Sequence, residues 1–441
     1  MNVVRSVRTA ATLGLVGAAL PANAAITGAA LVWGTIRRDF RPVPTEPRTV
    51  LISGGKMTKA LHLARCFHRA GHRVVLIEAP KYRWTGHRFS NAVDAFYTVP
   101  SPGSPGYAEA LADIAAREGV DVFVPVSSPA SSLAEAEVAE FLPTDCLVVH
   151  GDAGTVRRLD DKAEFARMTA EAGLAAPDSY RVTDPEQVPK LLEGTDGRYI
   201  LKSIVYDPIN RQDLTPLPRP TEEATLAFAR SKPMSESTPW VLQELLEGVE
   251  YCSHSTLRDG TVMLQVTCKS SGFQVNYDSV DRPAIDEWVR RFSAAHRLNG
   301  QVSIDFIVGS DDNVRAIECN PRTHSAITVF DDPIAVACAY LEVVSGDDGG
   351  DGPVRPLPGA RPTYWAYQEL WRLMSHPTTV TERLRVVLRG RDAIFDWDDP
   401  LPFLLVHHLQ IPSLLIRALI DGRDWMRIDF NIGKLVEPAG D

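Results

Sequence analysis

The chain reads as an α/β protein: an open α/β domain, then a larger mixed α/β domain, with an apolar segment before them and a helical extension after them. Three observations predict this. Residues 49–70 run as a buried-type strand, a Gly54-Gly55 turn and a helical stretch, the start of a strand–turn–helix unit. The apolar runs 72–78 and 121–126 alternate with further helical patterns, the last at 130–140. Residues 301–325 alternate in polarity twice around a turn, the pattern of an antiparallel hairpin. These features divide the chain into 1–46, 47–150, 151–345 and 346–441.

Composition narrows the class. At 441 residues, with 44% hydrophobic and 23% charged side chains, the chain has enough apolar material for several packed domains. A net charge of −10, without a basic stripe, argues against nucleic acid as a partner. Cysteines 66, 146, 252, 268, 319 and 338 are widely spaced, and no Cys-x-x-Cys or nearby His gives zinc spacing. They read as buried free thiols in a reducing compartment.

Residues 9–36 carry no charge and are bounded by Arg5 and Arg8 on one side and Arg37, Arg38 and Arg41 on the other. The run exceeds the roughly 20 apolar residues that cross a bilayer, and an uncleaved membrane anchor is the expected reading. It would leave the catalytic part at the cytoplasmic face. Two rivals stand beside it: a cleavable signal ending near Ala22-Asn23-Ala24, or two short segments divided by Pro21 that dip into the membrane and return. Pro42, Pro44 and Pro47 then form a stiff linker.

In the open domain, the turn Ser53-Gly54-Gly55-Lys56-Met57-Thr58 is not a P-loop. Val50 stands where the first glycine belongs, and Met57 stands where Ser or Thr should follow the lysine. Such a turn still presents backbone N–H groups at a helix N-terminus, which suits an anionic ligand. Lys56 and Lys59 are either substrate contacts or exposed helix lysines. Ser127 lies in a loop at the same carboxyl edge and joins the candidate pocket.

The hairpin carries the chemistry. Val302, Ile304, Phe306 and Val308 share one face of its first strand; Ser303, Asp305 and Ile307 share the other. After the turn at 309–313, alternation puts Arg315, Ile317 and Cys319 on one side and Ala316, Glu318 and Asn320 on the other. Asp305, Glu318 and Asn320 then meet at one sheet end. Two carboxylates and an amide oxygen suit Mg²⁺ that also holds substrate phosphates. Arg322 adds a planar fork for phosphate or an oxyanion. The alternative is an acidic surface hairpin that binds nothing.

Asp305-Phe306 followed by Glu318-Cys319-Asn320-Pro321-Arg322 resembles the metal-binding end of the ATP-grasp ligases. Lys162, Lys202 and residues 240–250 follow the order of the rest of that nucleotide site. The resemblance implies an ATP-grasp fold preceded by a pre-ATP-grasp, Rossmann-like domain. It also implies ATP with two Mg²⁺ on Asp305, Glu318 and Asn320. Lys162 and Lys202 would reach the phosphates, Gln243, Glu244 and Leu245 would read the adenine edge through backbone groups, and Glu250 would take the ribose. One departure is that the segment after Lys202, residues 203–213, lacks the family's flap glycines and offers Arg211 instead.

Residues 52–60, 85–92, 317–328 and 430–435, with the apolar N-terminus, are also similar to the mycosporine-glycine synthetases of mycosporine-like amino acid biosynthesis. That similarity implies that glycine is joined to 4-deoxygadusol, a cyclic enolised diketone, through an enol phosphate. Arg322 would steady the charge. His324 would touch substrate or deprotonate the amine, or else serve as a structural hydrogen-bonding residue. Gly54, Gly55, Lys56, Lys59, Arg88, Ser127 and Ser325 are the substrate-binding candidates.

Residues 346–353 read as a flexible acidic linker, and 363–374 and 381–388 as helices. Residues 401–420 are strongly apolar and broken by Pro402 and Pro412. They form either a core helix pair or a segment resting on the membrane. His407 and His408 diverge by about 100° on a helix and carry no metal role.

Overall fold

Short β-branched runs interleaved with helices leave each sheet with apolar faces that must be covered, and covering them sets the architecture. The computed structural model describes residues 3–36, 44–126, 128–204, 210, 213–270, 276–341 and 352–438. After helix α1 (Val3–Ile36), strands β1 (Thr49–Ile52), β2 (Arg73–Glu78), β3 (Ala95–Thr98), β4 (Val122–Val124) and β5 (Leu147–Val148) form a parallel sheet in the order β3-β2-β1-β4-β5. Helices α2 (Thr58–Arg69), α3 (Tyr107–Glu118) and α4 (Ser132–Glu137) belong to this unit. The strand order reverses at β1, so the loops after β1 and β4 flank a crevice at the carboxyl edge.

Helices α5 (Ala153–Asp160) and α6 (Lys162–Glu171) follow. Asp161 caps α6 by accepting from the N–H groups of Ala163 and Glu164. A small antiparallel sheet has the order β6-β8-β7, from β6 (Ser179–Val182), β7 (Tyr199–Ser203) and β8 (Trp240–Glu244), beside α7 (Gln187–Leu192) and α8 (Glu222–Arg230). The larger antiparallel sheet takes β9 (Val249–Arg258) and β10 (Thr261–Lys269). After β11 (Asn276–Tyr277) and α9 (Pro283–Ala295) it adds β12 (Gly300–Val308) and β13 (Val314–Asn320), in the order β10-β9-β12-β13. Helix α10 (Pro333–Leu341) packs back on α2.

Two residues fasten the large sheet to the first. Gly300 has φ +89°, and a Cβ there would stand 2.4 Å from the His150 backbone, so only glycine lets β12 start where β5 ends. Gln301 is buried; its Nε2 donates to Pro125 O at 2.9 Å and its Oε1 accepts from Tyr340 Oη at 2.8 Å. One apolar core runs across both sheets into the C-terminal extension, joining Val50, Leu76, Leu264, Ala326, Trp365 and Leu415.

The C-terminal part contains β14 (Thr363–Tyr364), α11 (Ala366–Ser375), α12 (Val380–Arg389), β15 (Arg391–Asp392), α13 (Leu401–Leu405), α14 (Ile411–Ile420) and the hairpin β16 (Arg427–Asp429) and β17 (Lys434–Val436). Three expectations change here. Residues 363–364 pair with β11 and β15 as a strand, so the first helix starts later. The prolines do not break 401–420: Pro402 sits in the first turn, and a π turn at Val406–Gln410 precedes Pro412. A π turn relieves the clash of a proline ring with the carbonyl four residues back. α1 likewise runs unbroken through Pro21, which removes the two-segment reading. By length and composition, Arg5–Ile36 and Leu401–Ile420 could each cross a membrane. The linker expected at 346–353 lies mostly outside the described residues. Of the cysteines, 146 and 338 are only half-buried.

Candidate active site

β12 and β13 bring the hairpin groups together, although not by simple alternation. Asp305 pairs with Glu318 and Ser303 with Asn320, but Phe306 pairs with Ala316, so Ile317 is an extra residue in β13. This bulge shifts the phase of the strand. Ala316 and Cys319 therefore both face the core with Ile304 and Phe306, and Ala316 does not share the side of Glu318 as alternation predicts. Asp305, Glu318 and Asn320 remain on one edge. The bulge is held by Gln243, whose Nε2 donates to Ile317 O at 3.1 Å.

The Asn320 amide donates to Glu318 Oε1 at 3.3 Å and to Asp305 Oδ2 at 3.5 Å. Its oxygen accepts from Arg322, which also reaches Asp160 Oδ1 at 3.4 Å. Lys162, at the first position of α6, approaches Glu318 Oε2 at 3.3 Å. Lys202 on β7 stands close enough to Glu318, Lys162, Asp305 and Glu250 to feel all four charges, and burial lowers its pKa. Burial and the facing Glu318 carboxylate push Asp305 up, while Lys162 and Lys202 hold Glu318 down against its own burial. Two carboxylates forced together at the end of a cleft form a site that a cation relieves. Among the described residues no three His, Cys, Asp or Glu side chains form a metal cage. A set of two carboxylates and an amide fits Mg²⁺ that takes its other ligands from phosphate and water.

The nucleotide-side candidates fall on three strands. Glu250 is near the start of β9 and accepts from the Ser270 hydroxyl at 2.8 Å. Gln243 and Glu244 lie inside β8, so the connector proper begins at Leu245. The N–H groups of Glu244 and Leu245 already donate to Asp178 O and Arg198 O. The Glu244 carboxylate pairs with Arg315 at 3.3 Å. These two residues tie the small sheet to the hairpin, and their N–H groups are not open to a purine. Arg211 and most of the expected flap lie outside the described residues.

The glycine turn after β1 differs most from expectation. Most of its N–H groups are engaged: Gly55 to Ile77 O, Lys56 to Glu78 Oε2, Met57 to Gly54 O and Thr58 to Asn431 O. The Lys56 ammonium sits 3.5 Å from Glu78 and over the Tyr82 ring. The N–H groups of residues 55–58 are therefore already paired within the protein. Arg88 donates to Arg83 O at 2.7 Å and lies over Phe96, with no contact to the hairpin. Ser127 lies outside the described residues.

Lys59 is different. It is 8% exposed, and its ammonium donates to Thr323 O just beyond the metal motif. Burial, with Arg322 close by, draws it down to about 7. Glu135, on α4, lies near enough to act on it, and burial pushes that carboxyl up to about 8. Ser325 donates to Asn431 Oδ1 at 2.9 Å. His324 is drawn down to about 3 by burial, Lys59 and Arg322, so its ring is neutral and very weakly basic. Burial therefore weighs against proton uptake by this ring. The sequence reading missed Asp160, Glu135, His254 and Asn431. His254 Nδ1 accepts from the His324 N–H at 3.4 Å. Each of these reaches the site through a tertiary contact that no local motif marks.

No family model matches the chain, and no curated protein matches it. Solved structures do. N5-carboxyaminoimidazole synthetase from Staphylococcus aureus, complexed with ADP, aligns at TM-score 0.51 and 15% identity over 68% of this chain and 78% of that one. The corresponding synthase from Aspergillus clavatus, with ADP and 5-aminoimidazole ribonucleotide, aligns at 0.53 and 14% over 72% and 80%. The biotin carboxylase domain of Hydrogenobacter thermophilus 2-oxoglutarate carboxylase, with MgADP and bicarbonate, aligns at 0.52 and 15% over 69% and 72%. The chain has the fold of these enzymes: an ATP-grasp fold behind a parallel α/β domain, with an apolar N-terminal helix and a helical C-terminal extension.

Proposed function

We propose that the chain is an ATP-dependent ligase that forms a carbon–nitrogen bond, with glycine and 4-deoxygadusol as its substrates and mycosporine-glycine, ADP and phosphate as its products. The observation that carries the ligase reading is the placement of Asp305, Glu318 and Asn320 on paired strands beneath Lys162 and Lys202. Asp305, Glu318 and Asn320 would hold Mg²⁺, which would neutralise charge on the transferred phosphate. Lys162 and Lys202 would bind the nucleotide phosphates, and Glu250 the ribose.

4-Deoxygadusol is a vinylogous acid, so its enol oxygen can attack the γ-phosphorus as ADP leaves. The glycine nitrogen then adds to the ring carbon, phosphate departs, and one proton is released. Arg322, fixed between Asn320 and Asp160, would stabilise the anionic charge of that step. Lys59 and Ser325 would orient the ring or the glycine carboxylate. Residues 9–36 would attach the protein to a membrane.

The named substrates rest on the sequence resemblance at 52–60, 85–92, 317–328 and 430–435. The alternative is another carboxylate–amine ligase of the same fold, and the solved structures of similar fold support that coarser reading equally. A nucleotide-binding protein without catalysis would not need the carboxylate pair at all. Purified chain with ATP, Mg²⁺ and glycine, offered 4-deoxygadusol or ordinary carboxylates, separates these. ADP release and an ultraviolet-absorbing product with 4-deoxygadusol alone are expected; release with a carboxylate instead would establish the alternative.

A further inference from the structure

Helices α11 and α12 turn one ion cluster inward and leave several large apolar side chains exposed. Glu369 is 1% exposed and lies between Arg372 and Arg383, each 3.7 Å away. Leu370, Trp371 and Met374 on α11, and Leu384 and Leu388 on α12, are all exposed. Water favours the opposite arrangement.

α1 adjoins this pair, because Asn23 Nδ2 donates to the Tyr367 hydroxyl of α11 at 3.1 Å. α1 is buried along a single stripe: Thr9, Val16, Asn23 and Ala30, one residue in seven, with Thr27 beside them. The stripe packs on α13, the π turn and α14, and Trp425 Nε1 donates to Thr9 at its start. Leu15, Leu20, Ile26, Leu31, Trp33 and Ile36 face away from the body and are exposed.

A helix that crosses a bilayer needs about 20 residues surrounded by hydrocarbon. The body covers one side of α1 from Thr9 to Ala30, so no such stretch is free. An outward apolar face on a helix held flat against a folded body suits the interfacial plane. A second copy would cover one patch, whereas here three helices present apolar residues outward. On α12, the exposed Arg385 and Arg389 accompany the outward Leu384 and Leu388, and these match lipid phosphates.

We propose that the chain sits on one leaflet of a membrane without crossing it, with α1 lying in the plane and the α11–α12 pair dipping its apolar face into the same leaflet. The inference rests on membrane association through residues 9–36, but not on the ligase reading.

Flotation of the full chain with phosphatidylcholine–phosphatidylglycerol vesicles tests it. The wild type should float, and the Trp371→Glu/Leu388→Glu variant should lose at least about tenfold in bound fraction with unchanged thermal unfolding. Equal flotation of the two, or a wild type that stays unbound and forms dimers which the variant dissolves, would overturn the proposal. Val7→Cys and Ile36→Cys, at opposite ends of α1, separate lying from crossing. With Cys146 and Cys338 replaced by Ser, a membrane-impermeant maleimide added outside the vesicles should label both introduced thiols, and labelling of only one end would show a crossing helix. ADP release is unaffected by either outcome, so failure here leaves the ligase reading standing.

Discussion

The β12–β13 hairpin and the Gly54-Gly55-Lys56 turn look alike as sequences, each a short motif of charged and flexible residues at a strand end. In the fold they are opposites. The hairpin gathers two carboxylates, Asp305 and Glu318, with Asn320 and two lysines, Lys162 and Lys202, and burial with neighbouring charge perturbs the titration of Asp305, Glu318 and Lys202. The turn has paired most of its N–H groups, and its lysine, with carbonyls and with Glu78. A motif marks residues that could bind a ligand, but the partners each group meets in the fold decide how available it stays.

The largest effect that tests this contrast is Glu318→Gln. It keeps the shape but removes a charge from the metal-side pair, and turnover should fall at least about 100-fold, with nucleotide binding partly retained. Single-turnover ADP release beside equilibrium nucleotide binding measures it, and retained turnover would take Glu318 out of the mechanism. Gly55→Ala probes the other member. Its Cβ would stand 2.9 Å from Leu76 Cγ and 3.0 Å from Ile77 O, so the expected cost is about 1–3 kcal/mol in urea unfolding. The KM for ATP should not change; a rise in KM without loss of stability would make the turn a phosphate cradle after all. Lys202→Met should raise the KM for ATP about tenfold, since one ammonium leaves a site that keeps Lys162.

The hairpin was legible because its information is local: alternation placed three oxygen donors at one edge, and the donor types named the ion. Even there, the bulge at Ile317 was invisible, because it is fixed by Gln243 from another sheet. The strand and helix order of the open domain was likewise written in short-range pattern. The continuity of residues 401–420 was not, since the π turn that accommodates Pro412 has no signature in residue type. The roles of Lys59 and His324 depend on burial between elements far apart in sequence. The sequence offered Lys59 as a substrate contact or an exposed helix lysine, and His324 as a substrate contact, a base or a hydrogen-bonding residue; packing buries the lysine and lowers the basicity of the ring.

The smallest effect concerns that buried lysine, and it comes in two pH windows of opposite sign. Lys59 is drawn from an ordinary 10.5 to about 7 in the fold. Between those values the unfolded chain binds the extra proton, so this group adds stability as pH rises from about 7 to 10.5 and loses it as pH falls. Glu135 is pushed from 4.5 to about 8. Between those values the folded chain holds the extra proton, so its contribution is complete below 4.5 and is lost as pH rises through 8. Lys59→Met should therefore flatten the stability profile on the alkaline side, and Glu135→Gln on the acid side, each by no more than about 1.4 kcal/mol per pH unit. Urea unfolding from pH 5 to 10 measures both. If Lys59→Met left the slope above pH 7 unchanged, the ammonium would have to be solvated in the fold. Lys59 would then belong with the accessible ions of the hairpin and not with the engaged lysine of the glycine turn.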